Sequence, residues 1–236
     1  MRLFNLDSPF MQALNKVADL MLLNLLTLLC CIPVITIGPS LAGLHYVALK
    51  MARDEECYIA RDFFKSFKLN FRQGIIIWLM MLFLIIVLAC DFIIIQNSDL
   101  EYGRVIQIVL TGIVIILLFT SMFLFPVLAR FENTVLHTIK NAFLISTLQF
   151  PKTILMMVMT VLPTVLFLFY PQIMPLIILF GMSAPAFVSA KLYNKFFRKL
   201  EDQINAGKPA EEPEGEDERI FKDELDESLA EGSQPH

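Results

Sequence analysis

No GxxxxGK[ST] loop, HExxH helix or CxxC pair occurs in this sequence. The first absence excludes a P-loop ATPase; the other two remove the commonest zinc and dithiol signatures. Only four cysteines occur, Cys30, Cys31, Cys57 and Cys90. The adjacent pair makes a poor disulfide, and three of the four sit in or beside apolar runs, where cysteine acts as a small packing residue. The stretch before Cys30 reads TLL, without the small residue a lipidated cysteine needs. The three histidines, His45, His137 and His236, have no metal-ligand spacing around them. Gly181-Met182-Ser183-Ala184 is the nearest approach to a serine-nucleophile motif, but it lacks the second glycine and any membrane histidine after it. No acid, base and nucleophile stand together, so the expectation is a protein that is not an enzyme and carries no cofactor. No cleavable leader is expected: Asp7 and Asp19 precede the apolar run, only Arg2 is near the start, and no A-x-A site follows.

Charge is scarce, at 18% of residues, whereas 56% are hydrophobic, 21 are phenylalanine and mean hydropathy is +0.65. Such a balance belongs to an integral membrane protein. The net charge of −4 hides an asymmetry. Residues 1–200 hold 16 Lys and Arg against 10 Asp and Glu, while residues 201–236 hold 3 against 13. The expectation is a basic membrane domain over 1–200 and an acidic, disordered cytoplasmic tail over 201–236. Within the tail, DERIFKDELDESL has helical spacing for a transient partner motif.

Apolar length predicts an all-α protein with about five transmembrane helices, at about 17–37, 74–95, 105–129, 153–170 and 172–190. The second contains one charge, Asp91, in 22 residues, and reaches about 33 Å against a bilayer core of about 30 Å. Segments 38–73, 130–152 and 191–199 carry thirteen Lys and Arg; the opposite side has Arg2, Lys16 and Arg104. That bias places the basic loops and the C-terminus in the cytoplasm, and an odd number of crossings puts the N-terminus outside. Pro33 and Gly38-Pro39 offer a second arrangement, in which the first span is a re-entrant hairpin and both termini lie inside. Asp7-Ser8-Pro9 reads as a helix start and Gly38-Pro39-Ser40 as a break. LAGLHYVALKMAR then restarts a short helix, ended by Asp54, Glu55 and Glu56.

RDFFKSFKLNFRQG, from Arg61, mixes basic and aromatic side chains. As a helix it sets Arg61, Lys65, Lys68 and Arg72 on one stripe, with Phe63, Phe64, Phe67 and Phe71 beside it. Because this helix leads straight into a membrane span, its expected partner is the lipid bilayer and not nucleic acid: basic stems snorkel to phosphate and rings suit the headgroup boundary. The second cytoplasmic helix carries His137 and Lys140. These residues, Arg61, Phe64, Lys65, Phe67, Lys68, Phe71, Arg72, His137 and Lys140, are the predicted membrane-surface or partner-docking set. Asp91 is the intramembrane polar candidate; near the outer end of its span it is expected to reach water or pair with Arg104. Asn24, Thr27, Gln107, Thr111, Thr120 and Ser121 are expected to hydrogen-bond between helices, and Gly181, Ser183, Ala184, Ala186 and Ala190 to pack closely. Pro163, Pro175 and Pro185 are expected to kink the last two spans.

The two halves echo one another. FFKSFKLNFRQGIIIWLMML, from Phe63, aligns with AFLISTLQFPKTILMMVMTV, from Ala142, setting Phe64 on Phe143, Leu69 on Leu148, Asn70 on Gln149 and Phe71 on Phe150. Upstream, Ile32-Pro33-Val34 echoes Phe125-Pro126-Val127, with a connection 14 residues shorter in the second half. A parallel two-fold internal repeat is predicted, with the fifth span added.

IPVITIGPSLAGLHYVALKMARDEECYIARDFFKSFKLNFRQGIIIWL, together with RFENTVLHTIKNAFLISTLQFPKTI, resembles the YesL family of bacterial membrane proteins over residues 1 to about 200. That family has no established function and supplies no residue of known role. Its genes neighbour sugar-uptake transporters and glycoside hydrolases in Gram-positive bacteria. The resemblance therefore implies a non-enzymatic accessory or regulatory component of carbohydrate uptake, with carbohydrate ABC transporter subunits as partners. An alternative is a transport component: ENTVLHTIKNAFLISTLQFP loosely resembles the loop by which an ABC permease engages its ATPase, with Glu132, a helix and Pro151, though without the Glu-Ala-Ala opening or the central glycine.

Overall fold

A computed structural model describes residues 9–97 and 103–206. The chain divides into two compact units, Met1–Asn194 and Lys195–His236. The expected caps at Asp7 and Ser8 and the acidic tail from residue 207 lie outside the described residues, as does most of the short connection after Gln96. Among the described residues every regular element is helical: α1 Pro9–Cys31, α2 Ile37–Ala52, α3 Ile59–Leu69, α4 Phe71–Gln96, α5 Gly103–Arg130, α6 Val135–Leu148, α7 Phe150–Phe169, α8 Met174–Phe180 and α9 Ser183–Ala206. Five stretches are long and apolar enough to cross a membrane: Leu14–Cys31, Val34–Ala52, Phe71–Gln96, Gly103–Arg130 and Phe150–Phe169.

The number matches the expectation; the set does not. The predicted single span over 17–37 is broken. α1 ends at Cys31, a 3₁₀ turn occupies Val34–Thr36, and α2 follows. Pro33 explains the site of the break, since it lacks an N–H and its ring clashes with the carbonyl four residues back. Gly38-Pro39-Ser40, expected to break the chain, instead forms the first turn of α2, where the N–H proline lacks would be unpaired in any case. α2 ends where its charges predicted, with Asp54 at a φ of 56°. Length and composition alone would let α2 cross a bilayer, but its surroundings differ. Of its apolar window 56% is buried inside the protein, against 11%, 22% and 11% for α4, α5 and α7. α2 is a core helix, and the other three turn apolar outer faces away from the protein.

α1 and α2 pack as a hairpin, with Lys16 paired to Asp54 beyond the end of α2. α3 then runs back along α2: Lys50 donates to Asp62 at 3.1 Å, and Phe63 lies against Gly43. The junction from α3 to α4 is a single residue, Asn70. Helical hydrogen bonds persist on both sides of it, from Asn70 N–H to Ser66 O and from Gly74 N–H to Asn70 O. The hairpin's tip meets the first two turns of α4. A Cβ on Gly74 would stand 2.8 Å from Pro39 N, and one on Gly38 would stand 2.9 Å from Trp78 Cβ. Only glycine lets these backbones come so close.

The predicted repeat is present in the packing, with a changed boundary. α3 ends at Leu69 and α6 at Leu148; Asn70 and Gln149 form the two junctions; α4 begins at Phe71 and α7 at Phe150. The same spacing sets Ile59 on Thr138, Phe63 on Ala142, Ser66 on Ile145, Gly74 on Thr153 and Ile77 on Met156, all of them buried. It also sets Leu44, Val47, Ala48 and Leu49 on Phe123, Pro126, Val127 and Leu128, again all buried. The repeating unit is therefore α2–α3–α4 and the C-terminal half of α5 with α6 and α7. The upstream echo fails: Pro33 sits in a break, whereas Pro126 lies inside α5, opposite Val47 of the first unit. No shortened connection is needed.

The last predicted span is also broken. A 3₁₀ turn over Pro171–Ile173 leads into α8, and Gly181-Met182 separates α8 from α9. Taken together, Pro171–Phe180 and Ser183–Gln203 are bent by 55°. Pro163 lies inside α7, while Pro175 and Pro185 sit in the first turns of α8 and α9. Two of the three prolines expected to kink helices thus start them.

The α2–α4 crossing yields the first prediction. Gly74→Val should cost about 1–3 kcal/mol of stability, because backbone atoms of Pro39 cannot move aside. Gly112→Val, where an added Cβ meets nothing within 4 Å, should cost far less. Unfolding midpoints in mixed micelles measure both; equal losses would contradict the close crossing.

Candidate functional site

Asn24 is the polar centre of the α1 face. It is fully buried, and its amide bridges the break between α8 and α9. Its Oδ1 accepts from the N–H groups of Met182 and Ser183, each at 2.8 Å, and its Nδ2 donates to Ile178 O at 2.7 Å. These are the amides and the carbonyl that a helix break strands, and stranded backbone groups are costly where water is excluded. The expectation of helix-to-helix bonding by Asn24 is met. Thr27, Thr111, Thr120 and Ser121 instead return their hydroxyls to carbonyls of their own helices. Ser183, Ala186 and Ala190 are buried, as their small size predicted.

A cavity of about 920 Å³ lies between the repeats, lined by α2, α4, α5 and α7 with Ser189 of α9. Its walls are apolar apart from His45, Trp78, Thr111, Ser121, Thr160 and Ser189, and among the described residues no charged side chain lines it. Trp78 Nε1 and His45 Nδ1 are buried and have no hydrogen-bond partner among the described residues. A second cavity of about 380 Å³ extends toward Gly181 and Met182, and Leu41, His45, Thr160 and Ser189 line both. His45 therefore stands on the partition between the two spaces. Trp78 carries no motif; its one signal was to be the sole tryptophan of the chain, inside an apolar run.

The predicted docking set occupies one exposed surface on α3 and its junction. Arg61, Phe64, Lys65, Lys68, Phe71 and Arg72 are exposed, and Phe67 is half-buried. Phe63 leaves the expected aromatic face for the core, where it stacks on Phe67 with ring centroids 6.1 Å apart. Phe67 in turn meets Phe71 at 5.5 Å. On α6, His137 and Lys140 are exposed beside Leu136 and Leu144. Asp91 is half-buried near the end of α4, and among the described residues it forms no ion pair. The expected pairing with Arg104 is absent. Arg104 shares a surface pocket with Phe92, one residue and about 100° further round α4.

Asp62 is the one buried acid on α3, held by Lys50 and by the N–H of Tyr58 at 3.1 Å. Burial and the neighbouring Asp62 carboxylate push the Cys57 thiol up to about 12, so it remains an unreactive thiol at neutral pH. The Lys16 ammonium holds the Asp54 carboxyl below its usual range. Among the described residues no group of three His, Cys, Asp or Glu is placed to hold a metal ion.

These features define an all-helical, multi-pass membrane protein with a cleft between two repeated helix units. Residues 20–92 match a family described as "Protein of unknown function, DUF624". The matched stretch runs from α1 through most of α4 and contains Asn24, His45, Trp78, Asp91 and the basic face of α3. No curated protein and no solved structure matches the chain.

Asn24→Leu should strand Met182 N–H, Ser183 N–H and Ile178 O. At roughly 0.6 kcal/mol for each hydrogen bond inside a membrane protein, the loss is about 2 kcal/mol. Thr111→Val, which removes only a bond within its own helix, should cost a fraction of that. Unfolding in mixed micelles reads both, and an unchanged midpoint for Asn24→Leu would remove the clamp from the account.

Proposed function

We propose that this protein is a non-enzymatic accessory or regulatory component of the bacterial cell membrane, acting in carbohydrate uptake through contact with transporter subunits. The observation that carries the reading is the exposed face of α3. Four cations and three rings share one surface, and none of the four cations forms an ion pair among the described residues. Such a face suits the headgroup layer, with rings at the boundary and basic stems reaching phosphate, and it leaves the exposed face of α6 for a protein partner. The link to carbohydrate uptake rests on the YesL-like sequence pattern.

The charge bias supports a cytoplasmic position for the basic segments that follow α2 and α5 and for the basic stretch 191–199 within α9. The hairpin favours the re-entrant arrangement over the outside N-terminus. Lys16 stands beside Asp54, and Gly38 and Pro39 near the hairpin's tip lie against Gly74 and Trp78 toward the start of α4. The start of α1 is accordingly assigned to the cytoplasmic side together with the C-terminus.

Photo-crosslinking residues placed at Lys65, Lys68 and Lys140 in living cells test this. Adducts with carbohydrate transporter subunits are expected from these positions and not from Ile108, which faces outward from α5. The same adduct pattern at Ile108, or no transporter subunit in any adduct, would refute the reading.

A further inference from the structure

The cleft between α4 and α5 suits one kind of guest, independently of any docking at α3. We propose that it holds one acyl chain, seated with the chain's carbonyl oxygen at Trp78 Nε1 and His45. Shape is the first reason. Its walls run from Trp78 to Ile93 on α4 and from Leu110 to Phe125 on α5. Each stretch rises about 22 Å at 1.5 Å per residue, which is a chain-shaped space. Its volume of about 920 Å³ lies at the upper end of ligand sites.

Chemistry is the second reason. Trp78 Nε1–H can only donate, and the neutral imidazole of His45 can donate or accept through Nδ1. Both side chains line the cleft, and their nitrogens are buried with no hydrogen-bond partner among the described residues, a costly state in hydrocarbon. A bare alkyl chain would fill the cleft and leave both nitrogens unpaired. Water would satisfy them and leave the long apolar walls wetted. An ionic solute would find no counter-charge on the lining. An acyl group supplies an apolar body and an uncharged acceptor at its head.

Two sources carry this chemistry, an esterified bilayer phospholipid and a free fatty acid. Trp78 is the only tryptophan in the chain, so its fluorescence reports on this cleft alone. The full-length protein would be placed in phosphatidylcholine vesicles containing a rising fraction of lipid brominated in mid-chain, which quenches indole on contact. Saturable quenching at low fraction is expected from the ester-linked lipid. The ether-linked analogue, lacking the carbonyl, should need a roughly fivefold higher fraction, the worth of one hydrogen bond. A brominated fatty acid that saturates at lower fraction than the ester lipid would assign the site to free acyl chains; the reverse order would assign it to phospholipid. Ser121→Phe and Ala89→Leu fill the cleft from opposite helices, and each should remove the saturable component while helical circular dichroism is retained. Quenching that rises in proportion to bromolipid, alike for ester and ether and unmoved by either filling variant, would reduce the cleft to ordinary bilayer contact and overturn the proposal.

Discussion

Hydrocarbon offers a backbone no hydrogen bonds, so a helix that stops within it must hand its last carbonyls and first amides to side chains. This chain stops twice in apolar surroundings, at Ile32-Pro33 and at Gly181-Met182, and each stop has its own answer. At the first, the Thr36 hydroxyl lies 2.7 Å from Cys30 O and 2.8 Å from Pro33 O, covering the end of α1. At the second, the Asn24 amide takes two amides and one carbonyl. Because the first break is tolerated, α1 can return as α2, and α2 becomes the helix around which α1, α3, α4 and α5 gather.

The repeat follows from that return. Each unit lays a short helix back along a buried one and continues, past a single junction residue, into a long apolar helix. In the second unit the buried helix is the end of α5, which arrives from across the bilayer. In the first it is α2, which arrives from the hairpin. The two long helices α4 and α7 are consequently seated on equivalent supports, but they contribute differently to the cleft. The first unit contributes Trp78 and His45 to it, and the second contributes Met156 and Thr160. An asymmetric guest site between symmetric supports is the result.

Much of this was legible beforehand. α4, α5 and α7 are single apolar runs long enough to span a bilayer core, and their boundaries fall within a few residues of those expected. The α3–α4 and α6–α7 junctions were visible because Leu69-Asn70-Phe71 and Leu148-Gln149-Phe150 align. The outward aim of Arg61, Lys65, Lys68 and Arg72 followed from spacings of three and four. The hairpin was legible only as an alternative, since hydropathy averaged over 17–37 runs through Pro33 without registering the missing donor. α2 was legible only as a short helix over LAGLHYVALKMAR, because Gly38, Ser40 and Gly43 dilute its apolar signal, yet small size is what lets α3 and α4 approach. The Asn24 clamp depends on residues more than 150 positions apart, and nothing in the local sequence of either shows it.

The arrangement stands or falls with the return of α1. Lys16→Cys and Asp54→Cys, introduced together after replacement of the four native cysteines and treated in isolated membranes with a short bis-maleimide, measure it directly. The account predicts efficient crosslinking within one chain, with both single cysteines labelled from the same side of the membrane. No crosslink, with the two single cysteines labelled from opposite sides, would contradict it.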